Sequence, residues 1–150
     1  MALSLAINGL DAGYGAVKAL RGVSLHVEAG ETVALLGTNG NGKSTLMKCI
    51  AGLVRPQRGS ISLTIDGTAH DLSRLSAEDI VDLGVAMVPE GRRLFPRLTV
   101  LENLMLGAFR KAARSTIDGN LALVFETFPV LKERRSQLAG TMSGGQQQML

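Results

Sequence analysis

The sequence predicts an α/β fold, in which antiparallel hairpins and a parallel βαβ core precede a helical region. Three observations carry that prediction. Leu3–Asn8, Leu20–Val27 and Ile61–Ile65 alternate apolar and polar residues, as half-buried strands do. An apolar run, a glycine-rich loop and an amphipathic segment follow one another between Thr32 and Leu53. After Val88 no further strand segment is visible, and apolar residues recur at three- and four-residue spacing. With 150 residues the chain has the length of one domain. Residues 1–95 read as the β-subdomain and core, and residues 96–150 as a helical subdomain.

Taken in order, Leu3–Asn8 is a strand that Asn8-Gly9 can turn. Asp11 to Gly15 is a turn cluster holding Tyr14, the single tyrosine of the chain. Leu20–Val27 alternates again, and Glu28 to Glu31 turns into Thr32–Leu36, an apolar run suited to a buried parallel strand. Leu46, Met47, Ile50 and Leu53 mark one face of the next helix, which Pro56 stops. The strand Ile61–Ile65 closes on Asp66-Gly67, a hairpin signal. Ser76, with Asp79 three residues on, caps a helix through Leu83, and Gly84 suits its C-terminal cap. Val85–Val88 reads as a buried strand ended by Pro89. Thr99 and Glu102 have capping-box spacing and open a helix through Phe109. A further helix covers Ile117 to Phe128, and Pro129 ends it.

Composition narrows the function. A net charge of +3 is too mild to argue for nucleic acid or an anionic membrane surface. The basic clusters Arg92-Arg93, Lys111/Arg114 and Lys132/Arg134/Arg135 read as solvated faces. A single cysteine, Cys49, allows no internal disulfide and suits a reducing compartment. It reads as a small buried filler. His26 and His70 have no partners at metal-ligand spacing. No apolar stretch reaches the ~18 residues of a membrane span, and the N-terminus lacks the basic region of a signal peptide. A cytosolic protein is expected.

The chemistry centres on Gly37-Thr38-Asn39-Gly40-Asn41-Gly42-Lys43-Ser44-Thr45, which matches G-x-x-x-x-G-K-[ST] at every fixed position. A strand before it and a helix after it are the confirming context. A triphosphate needs a loop that turns successive backbone N–H groups inward, and glycines permit that close approach. The helix opening near Lys43 adds unpaired N–H groups and the positive end of its dipole. Lys43 can reach the β- and γ-phosphates, and the Ser44 hydroxyl can ligate Mg²⁺. Thr45 offers its N–H and hydroxyl to the α-phosphate. The expected cofactors are ATP and Mg²⁺.

A second motif, Met142-Ser143-Gly144-Gly145-Gln146, follows about a hundred residues on. By itself it is either a flexible turn or an N-cap serine that bares a helix start as a second anion site. Together with the first motif it makes the chain resemble the ATP-binding subunits of ABC transporters, whose signature Leu-Ser-Gly-Gly-Gln corresponds to Met142–Gln146. The methionine is a volume-conserving departure. Val88 to Val100 resembles the branch that serves branched-chain amino acid importers, in which Glu90 is usual. Urea and short-chain amide importers tend to keep glutamine there.

The resemblance implies a phosphate-loop ATPase core with an N-terminal antiparallel β subdomain and an inserted helical subdomain. It implies that Tyr14 stacks on adenine, against the plain alternative of a turn aromatic packed on a strand. Glu90 would touch Mg²⁺ and the attacking water, with added negative charge near the phosphates. Ser143, Gly144, Gly145 and Gln146 would cap ATP bound to a second, head-to-tail ATPase subunit. Transmembrane permease subunits are the implied partners, with a periplasmic or extracellular solute-binding protein acting indirectly, at the cytoplasmic face of the plasma membrane and without nucleic acid. Arg92, Arg93 and Arg97 are either permease contacts or solvated. In the family an Mg²⁺-binding aspartate, a catalytic glutamate and a switch histidine come after the signature. The chain is therefore expected to be the N-terminal part of a longer protein, inactive by itself and lacking the C-terminal part of the core.

Overall fold

The computed structural model describes residues 3–91 and 93–150, without the side chains of residues 111 and 112. The chain divides into two compact units, Met1–Val88 and Pro89–Leu150.

The first unit is built on a four-stranded antiparallel sheet in the order β2-β1-β3-β4. Its strands are β1 (Leu3–Tyr14), β2 (Val17–Glu28), β3 (Arg58–Ile65) and β4 (Thr68–Asp71). Helices α1 (Lys43–Ile50) and α2 (Ala77–Asp82) complete it. Asn8-Gly9 does not turn the chain. β1 runs on to Tyr14, and the expected turn cluster is mostly strand. Between Ile7 and Leu10, three steps along β1 oppose two along β2, from Leu25 to Val23, so one extra residue is accommodated. Gly9, with φ 54°, supplies that bulge. It also resets the phase of the strand. Leu10 and Ala12 would otherwise face away from Ile7, yet all three are buried in one core. Asp11 satisfies the irregular backbone, its carboxylate accepting the Gly22 N–H at 2.7 Å. The Asp66-Gly67 turn forms as expected, both residues having positive φ, and joins β3 to β4.

Ile7, Leu10, Leu20, Ile61 and Leu63 of the sheet meet Leu46 and Cys49 of α1 and Ile80 of α2. The inward face of α1 is thus Thr45, Leu46 and Cys49. Met47 and Leu53, expected on that face, are exposed. The helix stops before Pro56. Gly52 N–H bonds to the Cys49 carbonyl and Leu53 N–H to the Lys48 carbonyl, a paired closure of the last turn. Burial raises the Cys49 thiol above its ordinary pKa, as befits an inert filler.

Two expected strands are absent. Thr32–Leu36 and Val85–Val88 carry no ladder, and residues 31–40 are exposed throughout. A strand exists only through its neighbours, because each backbone N–H and C=O needs a partner. Among the described residues none pairs with either segment, so apolar composition alone does not make them strands. The sheet observed is accordingly antiparallel throughout, without the parallel pairing expected of the core.

The second unit is helical: α3 (Val100–Gly107), α4 (Lys111–Arg114), α5 (Ile117–Thr127), α6 (Pro129–Glu133) and α7 (Gly144–Met149), with a 3₁₀ turn at Ala139–Thr141. Pro129 ends α5 but also opens α6 at its first position, where its missing N–H is no loss. α3 ends at Gly107, short of Phe109. Val100, Leu131 and Met142 form the core of this unit.

Candidate functional site

The phosphate-binding motif lies on the first unit, at the start of α1. Gly42 is the N-cap in a left-handed conformation, and no side chain caps the helix. The N–H groups of the first turn have no intrahelical acceptor. No acidic residue stands in that turn to oppose an anion. Lys43 folds its ammonium back over the loop, donating to the carbonyls of Gly37 and Thr38 at 2.8 Å each. Asn41 N–H closes the loop weakly on Thr38 O at 3.4 Å. Ser44 is exposed and Thr45 is buried beneath it. A Cβ on Gly40 would meet nothing within 4 Å.

This donor set fits a polyphosphate. Phosphate oxygens would offer the Lys43 ammonium stronger acceptors than two carbonyls, while the helix N-terminus faces the same ligand. The Ser44 hydroxyl would suit Mg²⁺, which commonly takes one or two protein ligands beside phosphates and water.

Tyr14 sits at the end of β1, directly before the β1–β2 turn, with half its surface exposed. It belongs to the same unit as the loop, and β2 is held against the loop itself. A Cβ on Gly42 would stand 2.6 Å from the Ala19 carbonyl oxygen and 2.7 Å from Leu20 Cδ2. The Lys48 ammonium lies 5.8 Å from the centroid of the Tyr14 ring.

The signature residues lie on the second unit. Ser143 is the N-cap of α7 in a reciprocal box: its Oγ accepts Gln146 N–H at 3.4 Å, and Gln146 Oε1 accepts Ser143 N–H at 3.2 Å. Of the two readings of Ser143-Gly144-Gly145, the helix start is the one adopted. Gln147 Nε2 donates to the carbonyls of Ala139 and Met142 at 3.0 Å each and of Gly140 at 3.4 Å, tying α7 to the preceding turn. That turn is anchored in its turn on residues 96–100, through Ala139 N–H to Leu98 O and Gly140 N–H to Pro96 O, both 2.9 Å. Glu90 is exposed beside the turn at Gly91. Arg93 and Arg97 are exposed, and Arg92 lies outside the described residues.

The roles of Lys48, Asp11, Asn103 and Gln147 are not evident in the sequence. Asn103 Nδ2 donates to the Thr99 and Phe95 carbonyls at 2.8 and 3.1 Å, and its Oδ1 accepts Phe95 N–H at 2.9 Å. A polar residue on the apolar stripe of α3 was the available signal. For Lys48 there was none, since its partner is 34 positions away by subtraction of residue numbers.

A sequence model of the ABC transporter family matches residues 20–150. The high-affinity branched-chain amino acid transport ATP-binding protein BraG of Pseudomonas aeruginosa (strain PAO1) is 47% identical over 137 residues, which are 91% of this chain and 57% of that protein. Arabinose import ATP-binding protein AraG 2 of Burkholderia cenocepacia (strain HI2424) is 45% identical over 103 residues, 69% of this chain and 19% of that protein. A solved ATP binding subunit of an ABC transporter matches with a TM-score of 0.75 at 34% identity, over 97% of this chain and 58% of that one. The chain thus spans less than three-fifths of the length of each of these relatives.

Proposed function

The chain belongs to the ABC transporter family and has its ATPase fold, and from that premise we propose that it is the ATP-binding part of a subunit powering uptake of branched-chain amino acids. The observation that carries the nucleotide reading is the Lys43 ammonium held across the Gly37 and Thr38 carbonyls at the uncapped start of α1. In this reading Gly37, Thr38, Asn39, Gly40, Asn41, Gly42, Lys43, Ser44 and Thr45 cradle the phosphates of ATP. The backbone N–H groups and Lys43 neutralise their charge, and Ser44 contributes an oxygen to Mg²⁺. Tyr14 presents its half-exposed ring to the adenine. Mg²⁺, when bound with ATP, supplies Lewis-acid polarisation of the phosphoryl oxygens.

The second unit serves association. Ser143, Gly144, Gly145 and Gln146 present the start of α7 to nucleotide bound by a second ATPase subunit, arranged head to tail. Glu90 and the exposed Arg93 and Arg97 face permease subunits and couple nucleotide state to them. The assembly works at the cytoplasmic face of the membrane, with a solute-binding protein delivering cargo to the permease. Among the described residues no helix is long and apolar enough to cross a membrane, in keeping with a peripheral subunit.

The choice of solute rests on the 47% identity to BraG, a branched-chain amino acid transport protein. The 45% identity to an arabinose import protein supports a sugar importer as the second reading. Two measurements test the proposal. Titration of the chain with ATP should show Mg²⁺-dependent binding that Lys43→Ala weakens strongly; equal binding by both proteins sinks the nucleotide reading. In the assembled transporter, ATPase activity should rise with leucine-loaded receptor, and a rise with arabinose alone replaces the solute assignment.

A further inference from the structure

We propose that Lys48 is a positioning residue for the nucleotide base: its ammonium lies over one face of the Tyr14 ring and fixes the plane on which adenine stacks. This rests on the nucleotide reading above and adds to it a residue outside the phosphate-binding motif.

Distance, backbone anchoring and exposure support the assignment. The ammonium stands 5.8 Å from the ring centroid, within the range at which a cation is attracted by the ring quadrupole. Lys48 is not free to choose its backbone position, because its carbonyl accepts both Leu53 N–H at 2.8 Å and Val54 N–H at 3.2 Å where α1 closes. The last turn of α1 also favours its positive charge. The hairpin that bears Tyr14 is equally constrained. A Cβ on Gly13 would collide with the Val17 carbonyl, and Gly42 packs against β2 at Ala19. Ring and ammonium are therefore each carried by backbone tied to α1. The ring is only half covered, which leaves surface for a base. A ring held by a cation loses less freedom when a base stacks on it, and that is the physical source of the gain.

The effect should reach the base and not the phosphates. Tyr14 is the only tyrosine and the chain has no tryptophan, so intrinsic emission reports this ring alone. ADP and inorganic tripolyphosphate are titrated against the parent chain, Lys48→Met, Lys48→Arg, Tyr14→Ala and the Tyr14→Ala/Lys48→Met double variant. Lys48→Met is expected to weaken ADP by about twofold to fivefold and to alter Tyr14 emission before any nucleotide is added. It should leave tripolyphosphate unchanged and have no effect on ADP once Tyr14 is alanine. Lys48→Arg should restore ADP affinity, since a guanidinium also stacks on rings. Equal weakening of ADP in the Tyr14→Ala background would mean that Lys48 touches the nucleotide directly, and tighter ADP binding by Lys48→Met would mean that the ammonium competes with the base. Either result overturns the proposal. If the parent chain binds neither ADP nor tripolyphosphate, the underlying nucleotide reading fails instead; if it binds both and Lys48→Met changes nothing, only the role of Lys48 fails.

Discussion

Gly42 and Ala19 approach so closely that a Cβ on Gly42 would stand 2.6 Å from the Ala19 carbonyl oxygen. That contact joins β2 to the phosphate loop and sets where the Tyr14 hairpin lies relative to α1. Gly42 is also left-handed, with φ 79°. Gly42→Ala therefore meets strain twice, once from the backbone and once from the carbonyl. Gly40 has φ 88° but open space around its missing Cβ, so Gly40→Ala meets the first alone, about 1–2 kcal/mol. Urea unfolding should rank Gly42→Ala as the more destabilised by at least ~1 kcal/mol. Equal midpoints would show that the hairpin is not held through this contact.

Lys43 separates binding from folding. Its two hydrogen bonds are made at the surface, to loop carbonyls, and exposed contacts of this kind contribute little to stability. Lys43→Ala should shift the unfolding midpoint hardly at all. It should weaken ATP on the order of 100-fold, the worth of one or two charge-assisted hydrogen bonds. Calorimetric titration beside thermal unfolding reads both quantities, and a large loss of stability with unchanged ATP affinity contradicts the assigned role.

The carboxylates at bulge and cap predict an acid response. Asp11 is held below the usual carboxylate range, first by the Gly22 N–H and then by Lys18. Glu102 is held low by the Thr99 N–H and hydroxyl. A carboxylate depressed in the folded state stabilises it fully above the ordinary pKa, and that contribution fades as pH falls through the folded value. Both effects should be intact at neutral pH and begin to fade as pH falls below about 4. Glu102→Gln should flatten the stability profile of the parent in that acid range, read by circular dichroism across pH. An unchanged acid slope would show that the Thr99 box does not titrate with unfolding.

Capping boxes were legible because they are local. Ser76/Asp79 and Thr99/Glu102 form as spaced, since three residues suffice to specify the geometry. The passage from the glycine loop into α1 was legible for the same reason, with Lys43 opening the helix. The strands at Thr32–Leu36 and Val85–Val88 were not, because pairing is a property of the neighbour and not of the segment. Gly9 misled for a subtler reason: the same positive φ that suits a turn also suits a bulge, and only the burial of Leu10 and Ala12 on the side of Ile7 distinguishes them. Lys48 and Tyr14 meet only in three dimensions.

Gln147 gives the last prediction. The signature helix α7 spans six residues and carries two glycines in its first turn, a poor helix by propensity. Its serine box satisfies the start, but the Gln146 N–H bond is long at 3.4 Å. The Gln147 amide, reaching three carbonyls of the preceding turn, is what holds this start in place. Gln147→Ala removes those bonds and leaves the half-buried Ala139 and Met142 carbonyls without that donor, a loss of about 1 kcal/mol or more. Amide exchange should quicken across Ser143–Met149 while α1 is unaffected. Gln147→Glu cannot donate and should behave as alanine does, which separates the hydrogen bonds from side-chain packing. Protection unchanged in both variants would mean that the serine box alone secures the helix, and the glycine pair would then need another source of order.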